Sequence, residues 1–323
     1  MSRPGGHGSG RGERAVVPAA EPRSYYGRPI LKEPAWAVPD VPVYLFAGGM
    51  AGVSATMAAM ADATQRPGLA AAGRYVAAGG AAVGVAALVH DLGRPERFLA
   101  MLRVFKPTSP LSVGSWILAP FTGLTVAAAG AELTGRLPRL GRAAGVAAAG
   151  LGPAMATYTA VLLADTAIPA WHEAYPELPF VFAGSALASA AGAALLAAAP
   201  AEHGPVRRLA VLGAGMELAA GRRMERRTGL VGEPYRTGRA GALLRAGRVL
   251  TAAGAGLAAA GRLSRRRAGL AAAVSGAALL AGGLATRFGI LAAGTASARD
   301  PRYVVVPQRA RLAERGLGDP AAR

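Results

Sequence analysis

The chain has 323 residues, 52% of them hydrophobic but only 6% aromatic, with 79 Ala, 45 Gly, no Cys and a formal net charge of +18. The absence of Cys excludes disulfides, iron–sulfur ligation, thiolate zinc sites and a Cys nucleophile within the chain. Four His (His7, His90, His172 and His203) leave little for a metal or a haem.

The excess of positive charge raises nucleic-acid binding as the first class to test, but its placement argues against that class. Charge-free stretches run over 41–61, 107–131, 143–164, 178–201 and 268–286. Each is long enough to cross a hydrocarbon layer as a helix, since about 20 residues suffice at about 1.5 Å apiece. The Arg residues fall between these stretches, in loops and at helix ends. That is the pattern of an all-α integral membrane protein.

In chain order, residues 1–40 form a polar Gly/Pro/Arg-rich tail, expected to become ordered near Tyr25–Trp36. Predicted helices 1 and 2 cover 41–62 and 70–91. A polar connection follows, in which Pro95 opens a short interfacial helix that ends before Pro107. Helices 3, 4 and 5 cover 112–133, 143–165 and 179–199. Helices 6 (206–222) and 7 (240–261) have less support from hydropathy, because Arg residues interrupt them; they read as buried helices whose terminal Arg side chains snorkel. Helix 8 covers 268–293, and 294–323 is a basic C-terminal tail. The expectation is eight transmembrane helices in two four-helix bundles, with both termini on one side. Small residues four apart, Gly48/Gly52, Gly80/Gly84 and Gly141/Gly145, support close helix packing.

With eight crossings, the N-terminal tail, the 2–3, 4–5 and 6–7 connections and the C-terminal tail share one end, here called the N-face. It carries 24 of the 36 basic residues. All three Trp (Trp36, Trp116, Trp171) lie at N-face helix ends, which suggests a docking face. Counting all basic residues places this face in the cytoplasm. Inter-helix loops alone are nearly balanced, at 12 against 11.

His90 and Asp91 end predicted helix 2 on the N-face, and Asp165 ends helix 4 on the same face. Tyr158 lies seven residues before Asp165, two turns along one helix face. A structural alternative for His90 and Asp91 is simple capping of helix 2. A His-plus-carboxylate cluster at a membrane interface suits proton exchange with a lipid-soluble redox carrier, because quinol oxidation releases two electrons and two protons. The chain cannot ligate the electron acceptor, so that acceptor belongs to a partner. Glu217 and Arg287 are each expected one to two turns inside the N-face, as a buried ion pair or as part of a proton path.

Several segments carry a family resemblance: Tyr25–Trp36 (YYGRPILKEPAW), His90–Phe98 (HDLGRPERF), Phe105–Trp116 (FKPTSPLSVGSW), Tyr158–Asp165 (YTAVLLAD), Arg287–Ile290 (RFGI) and Asp300–Tyr303 (DPRY). On these the chain resembles the NrfD/PsrC family, the integral membrane subunit of polysulfide reductase-type complexes. The resemblance implies a subunit of the bacterial cytoplasmic membrane, with no haem, iron–sulfur cluster or metal of its own. Such a subunit exchanges electrons between quinone, menaquinone in the first instance, and a ferredoxin-like iron–sulfur subunit that serves a molybdopterin-type catalytic subunit. It also implies a quinone site in the first four-helix bundle, with His90, Asp91, Tyr158 and Asp165 as members and Arg94, Trp116, His172 and Glu173 around them. Two other classes remain open: a membrane anchor without quinone chemistry, and a secondary transporter or ion-translocating protein.

Overall fold

The computed structural model describes residues 30–94, 96–260 and 265–315, and these are helical apart from their connections. The expected ordering at Tyr25–Pro29 lies outside the described residues, as does Pro95. The long helices are α1 (Asp40–Ala63), α2 (Pro67–Asp91), α4 (Pro110–Thr134), α5 (Pro138–Ala164), α7 (Leu178–Ala197), α8 (His203–Arg227), α9 (Gly238–Ala259) and α10 (Arg265–Arg299). Short helices α3 (Glu96–Met101) and α6 (Pro169–Glu173) fill the second and fourth connections, and α11 (Arg302–Glu314) follows α10.

Local chemistry sets several starts. Pro stands in the first turn of α2, α4, α5 and α7, where its fixed φ suits a helix and its missing N–H costs nothing. In the Lys-Pro-Thr-Ser-Pro segment, Ser109 caps α4 by accepting from the Ser112 amide at 3.5 Å. The Ser112 hydroxyl in turn donates to the Val104 carbonyl and accepts from the Lys106 amide. The motif is therefore a folded helix entry.

Among the described residues, six helices are long and apolar enough to cross a membrane: α1, α2, α4, α5, α7 and α10. The chain is thus a multi-pass membrane protein. The eight crossings expected from the sequence are not all supported on this ground, because the Arg and Glu residues of α8 and the Arg residues of α9 lower their apolar content. α1 packs on α2 and α5, and α4 on α2 and α5; α7 packs on α8 and α10, and α9 on α8 and α10. α1 and α5 also reach α7, joining the two groups of four.

Two helices run well past their predicted C-terminal ends, and α5 starts at Pro138, five residues before the predicted 143. α8 continues to Arg227 rather than ending near 222, and α10 continues to Arg299 rather than 293. Glu217 therefore lies about 15 Å from the N-face end of α8, and Arg287 about 18 Å from that of α10. Both sit deeper than one to two turns, near the middle of a layer about 30 Å thick. The stretch after 293 is not only a tail, since it completes α10 and contains α11.

Small residues let the backbones meet. A Cβ on Gly52 of α1 would collide with the Gly152 carbonyl and the Met155 side chain of α5, and one on Gly152 would strike Gly52 and Thr56. Thr56 adds a hydroxyl bond to the Ala149 carbonyl at 3.1 Å. Gly79, by contrast, faces open space. Gly52→Val is expected to force α1 and α5 apart at a cost of about 1–3 kcal/mol, lowering the thermal unfolding midpoint in detergent, whereas Gly79→Ala leaves it unchanged.

Candidate functional site

At the N-face a cavity of about 720 Å³ opens between the α4 entry, the last three turns of α5 and the connection around α6. Its walls are mostly apolar, including Pro107, Pro110, Val113 and Val161, with Tyr158, Asp165, His172 and Tyr175 as the titratable groups. The size is within the roughly 300–1,000 Å³ of small-molecule sites.

Tyr158 forms the polar floor, backed by Tyr44, which is not itself part of the lining. Tyr158 is buried, and its hydroxyl is hydrogen-bonded to that of Tyr44, also buried, with the rings edge-on at 6.5 Å between centroids. Gly114 of α4 makes room for this, because a Cβ there would overlap the Tyr158 ring. Tyr44 was not among the sequence-derived site residues. A signal existed: it stands about 6 Å inside the start of α1, and Tyr158 about 9 Å inside the end of α5, so the two share a depth.

Asp165 lies just past the end of α5, its amide bonded to the Val161 carbonyl at 2.9 Å and its side chain exposed. His172 is placed by α6. Its Nδ1 lies 3.1 Å from the Ala164 carbonyl, which can only accept, so Nδ1 carries the hydrogen. In the neutral ring Nε2 then holds a lone pair toward a visiting donor.

The α6 segment is pinned to the second half of the bundle. Trp171 is fully buried, stacks on Trp36 at 5.1 Å, and donates from Nε1 to the Ile290 carbonyl at 2.7 Å. Gly294 leaves the space its indole occupies. The Ala170 amide donates to Ser297 Oγ at 3.2 Å, and the Ala170 carbonyl accepts from the Tyr235 hydroxyl at 2.8 Å. After α6, Glu177 is buried and receives Arg227 Nε at 2.8 Å and Arg223 Nε at 3.3 Å. Burial acts to raise the Glu177 carboxyl, but the hydrogen bonds and charge of Arg227 and Arg223 outweigh it and hold it below the usual carboxylate range.

The other sequence-derived residues lie outside this cavity. His90 is exposed, with Nδ1 2.9 Å from Asp40 Oδ2 in the first turn of α1. Asp91 accepts from the Ala37 amide at 2.8 Å. Together they tie the end of α2 to the entry of α1. Arg94 is exposed beyond α2, and Trp116 is half exposed, edge-on to Phe105 at 5.8 Å. Glu173 faces α11, 3.6 Å from Arg311.

Glu217 and Arg287 are buried in the bundle interior, away from the cavity. Glu217 accepts from Thr286 Oγ1 at 2.7 Å and Thr251 Oγ1 at 3.4 Å. Arg287 donates to the carbonyls of Phe182 at 3.0 Å and Leu45 at 3.4 Å, with its guanidinium 3.7 Å from the centre of the Phe182 ring.

Fold and cavity together define a multi-pass helical membrane protein with a polar-floored pocket at one end. A family model described as polysulphide reductase, NrfD, matches residues 32–209, just over half of the chain. The match runs from the segment before α1 into α8 and encloses every residue of the cavity. The chain belongs to the NrfD family, which marks it as a membrane subunit of a respiratory oxidoreductase. No curated protein gives a significant match to it.

Because the folded Glu177 has a lowered pKa, its pairing stabilises the protein at pH values above the ordinary glutamate range of about 4.3. That contribution disappears as pH falls through the lower folded value. Glu177→Gln is therefore expected to destabilise the protein at pH 7 and to flatten the acid limb of its stability profile. Thermal unfolding midpoints compared between about pH 7 and pH 3.5 check this.

Proposed function

We propose that this chain is the quinone-reactive membrane subunit of its oxidoreductase, exchanging electrons and protons between a membrane quinone and an iron–sulfur partner docked at the N-face. The observation that carries the reading is the meeting of Tyr158, Asp165 and His172 on one mostly apolar cavity. An apolar wall suits a lipid-soluble ring, and the three polar groups suit its two oxygens. In this reading α8 and α9 also cross the membrane, giving eight crossings, with the bacterial cytoplasmic membrane as the location.

The roles follow from the hydrogen bonds. His172 Nε2 accepts a proton from a hydroxyl at the cavity mouth, while the Ala164 carbonyl holds the ring and stabilises the cation that forms. Asp165, exposed beside it, passes the proton to water. The Tyr44–Tyr158 pair offers a hydroxyl to the second ring oxygen from the floor. Quinol oxidation at this place sends two protons through these groups and two electrons to the partner, a ferredoxin-like subunit in contact with a molybdopterin-type catalytic subunit. His90 and Asp91 act one step away, by setting the entry of α1 that carries Tyr44.

In the assembled complex, Asp165→Asn and His172→Ala are each expected to lower quinone-linked turnover at least about 100-fold, while dye-linked activity of the partner subunits persists. Tyr158→Phe is expected to fall less, and His90→Ala least. Unchanged quinone-linked turnover in both Asp165→Asn and His172→Ala overturns the site. Loss of dye-linked activity together with quinone activity points instead to a pure anchoring role.

A further inference from the structure

At the end opposite the N-face, a second crevice of about 350 Å³ lies between the last three turns of α1, the start of α2 and the first two turns of α8. Leu187 of α7 forms part of its wall, with Met57, Met60, Val206 and Leu209. α1 and α8 flank it without packing extensively on each other, so it is a seam between the two groups of four helices. Met60 is largely exposed there. The crevice reaches up α1 from Thr64 to Val53, about 16 Å at 1.5 Å per residue. That is close to half of a hydrocarbon layer about 30 Å thick, the depth of one leaflet.

Two guanidinium groups, Arg66 and Arg208, belong to the lining of this otherwise apolar crevice. Arg66 stands in the turn between α1 and α2, and Arg208 within two turns of the start of α8, both at headgroup depth. Among the described residues, neither side chain has a hydrogen bond or an ion pair. The acids nearby are committed elsewhere. Asp62 and Glu132 both bind Arg74, and Glu202 accepts from the Gly68 and Leu69 amides at the start of α2. None of these acids lines the crevice, so the charged groups of its lining are the two guanidiniums. Arg side chains match phosphate oxygens in geometry as well as charge, and basic pockets between membrane helices suit anionic headgroups.

From the leaflet-deep apolar seam and the two uncommitted guanidiniums at its mouth, we infer that this crevice binds one anionic phospholipid. Its phosphate sits between Arg66 and Arg208, and an acyl chain lies along Met57 and Leu187. The lipid fills the seam between the helix groups at the end away from the quinone cavity. This site does not depend on the quinone reading.

The full-length protein, purified and washed extensively in detergent, is offered phosphatidylglycerol or phosphatidylcholine, and the retained lipid is counted by native mass spectrometry. Wild type is expected to retain phosphatidylglycerol at least about fivefold over phosphatidylcholine, a difference of about 1 kcal/mol. Arg66→Gln/Arg208→Gln is expected to abolish that preference. Leu209→Trp, which fills the crevice and keeps both charges, is expected to lower retention of both lipids. Equal retention of the two lipids by wild type, unchanged preference in the double variant, or unchanged retention in Leu209→Trp overturns the inference. So does recovery of quinone in place of phospholipid from the washed protein.

Discussion

A guanidinium buried in the middle of a membrane bundle must be satisfied by the protein, because no water is at hand and an unpaired charge there costs several kcal/mol. Arg287 meets this condition with two of its three nitrogens, reaching from α10 to carbonyls on two other helices, Leu45 of α1 and Phe182 of α7, while lying on the Phe182 ring; its Nη1 has no hydrogen-bond partner among the described residues. Glu217 of α8 is held by Thr286, next to Arg287, and by Thr251 of α9, with no direct ion pair to Arg287 among the described residues. Five helices from both groups of four thus meet at one charge.

The candidate site inherits its geometry from that junction. The carbonyl that Arg287 holds on α1 belongs to Leu45, the residue after Tyr44, so the contact sets the rotation that turns Tyr44 toward Tyr158. One turn further along α10, the Ile290 carbonyl receives Trp171, and Gly294 and Ser297 seat the rest of α6. His172 is the next residue on that short helix. Floor and rim of the cavity are therefore both referenced to α10, although α10 contributes no residue to its lining. A rigid frame behind a mobile substrate is what proton exchange at defined distances requires.

Much of this was legible in the sequence. The charge-free stretches located five of the six long apolar helices, all but the Arg74-interrupted α2, and the seven-residue spacing of Tyr158 and Asp165 put both on one wall. What local pattern could not show were pairings across long separations. Tyr44 and Tyr158 are 114 positions apart, and Trp171 and Ile290 are 119 apart. The depth of Glu217 and Arg287 was misjudged for a related reason. A run of Arg reads as a loop, but in α8 Arg223 and Arg227 are helical and pair with Glu177, just ahead of α7. His90 and Asp91 were conspicuous as an ionisable pair at a helix end. Their bonds to Asp40 and Ala37 explain the pair as a tie between α2 and α1, outside the cavity.

For the proposed quinone, a second N-face cavity of about 640 Å³ between α9 and α10, lined in part by Arg239, Arg299 and Tyr303, is the competing place. Photoaffinity labelling of the assembled complex with an azidoquinone, followed by peptide mapping, separates the two directly. The account predicts label within 107–113 and 154–175, suppressed by excess quinone. Suppressible label confined to 234–243 or 288–303 would contradict it.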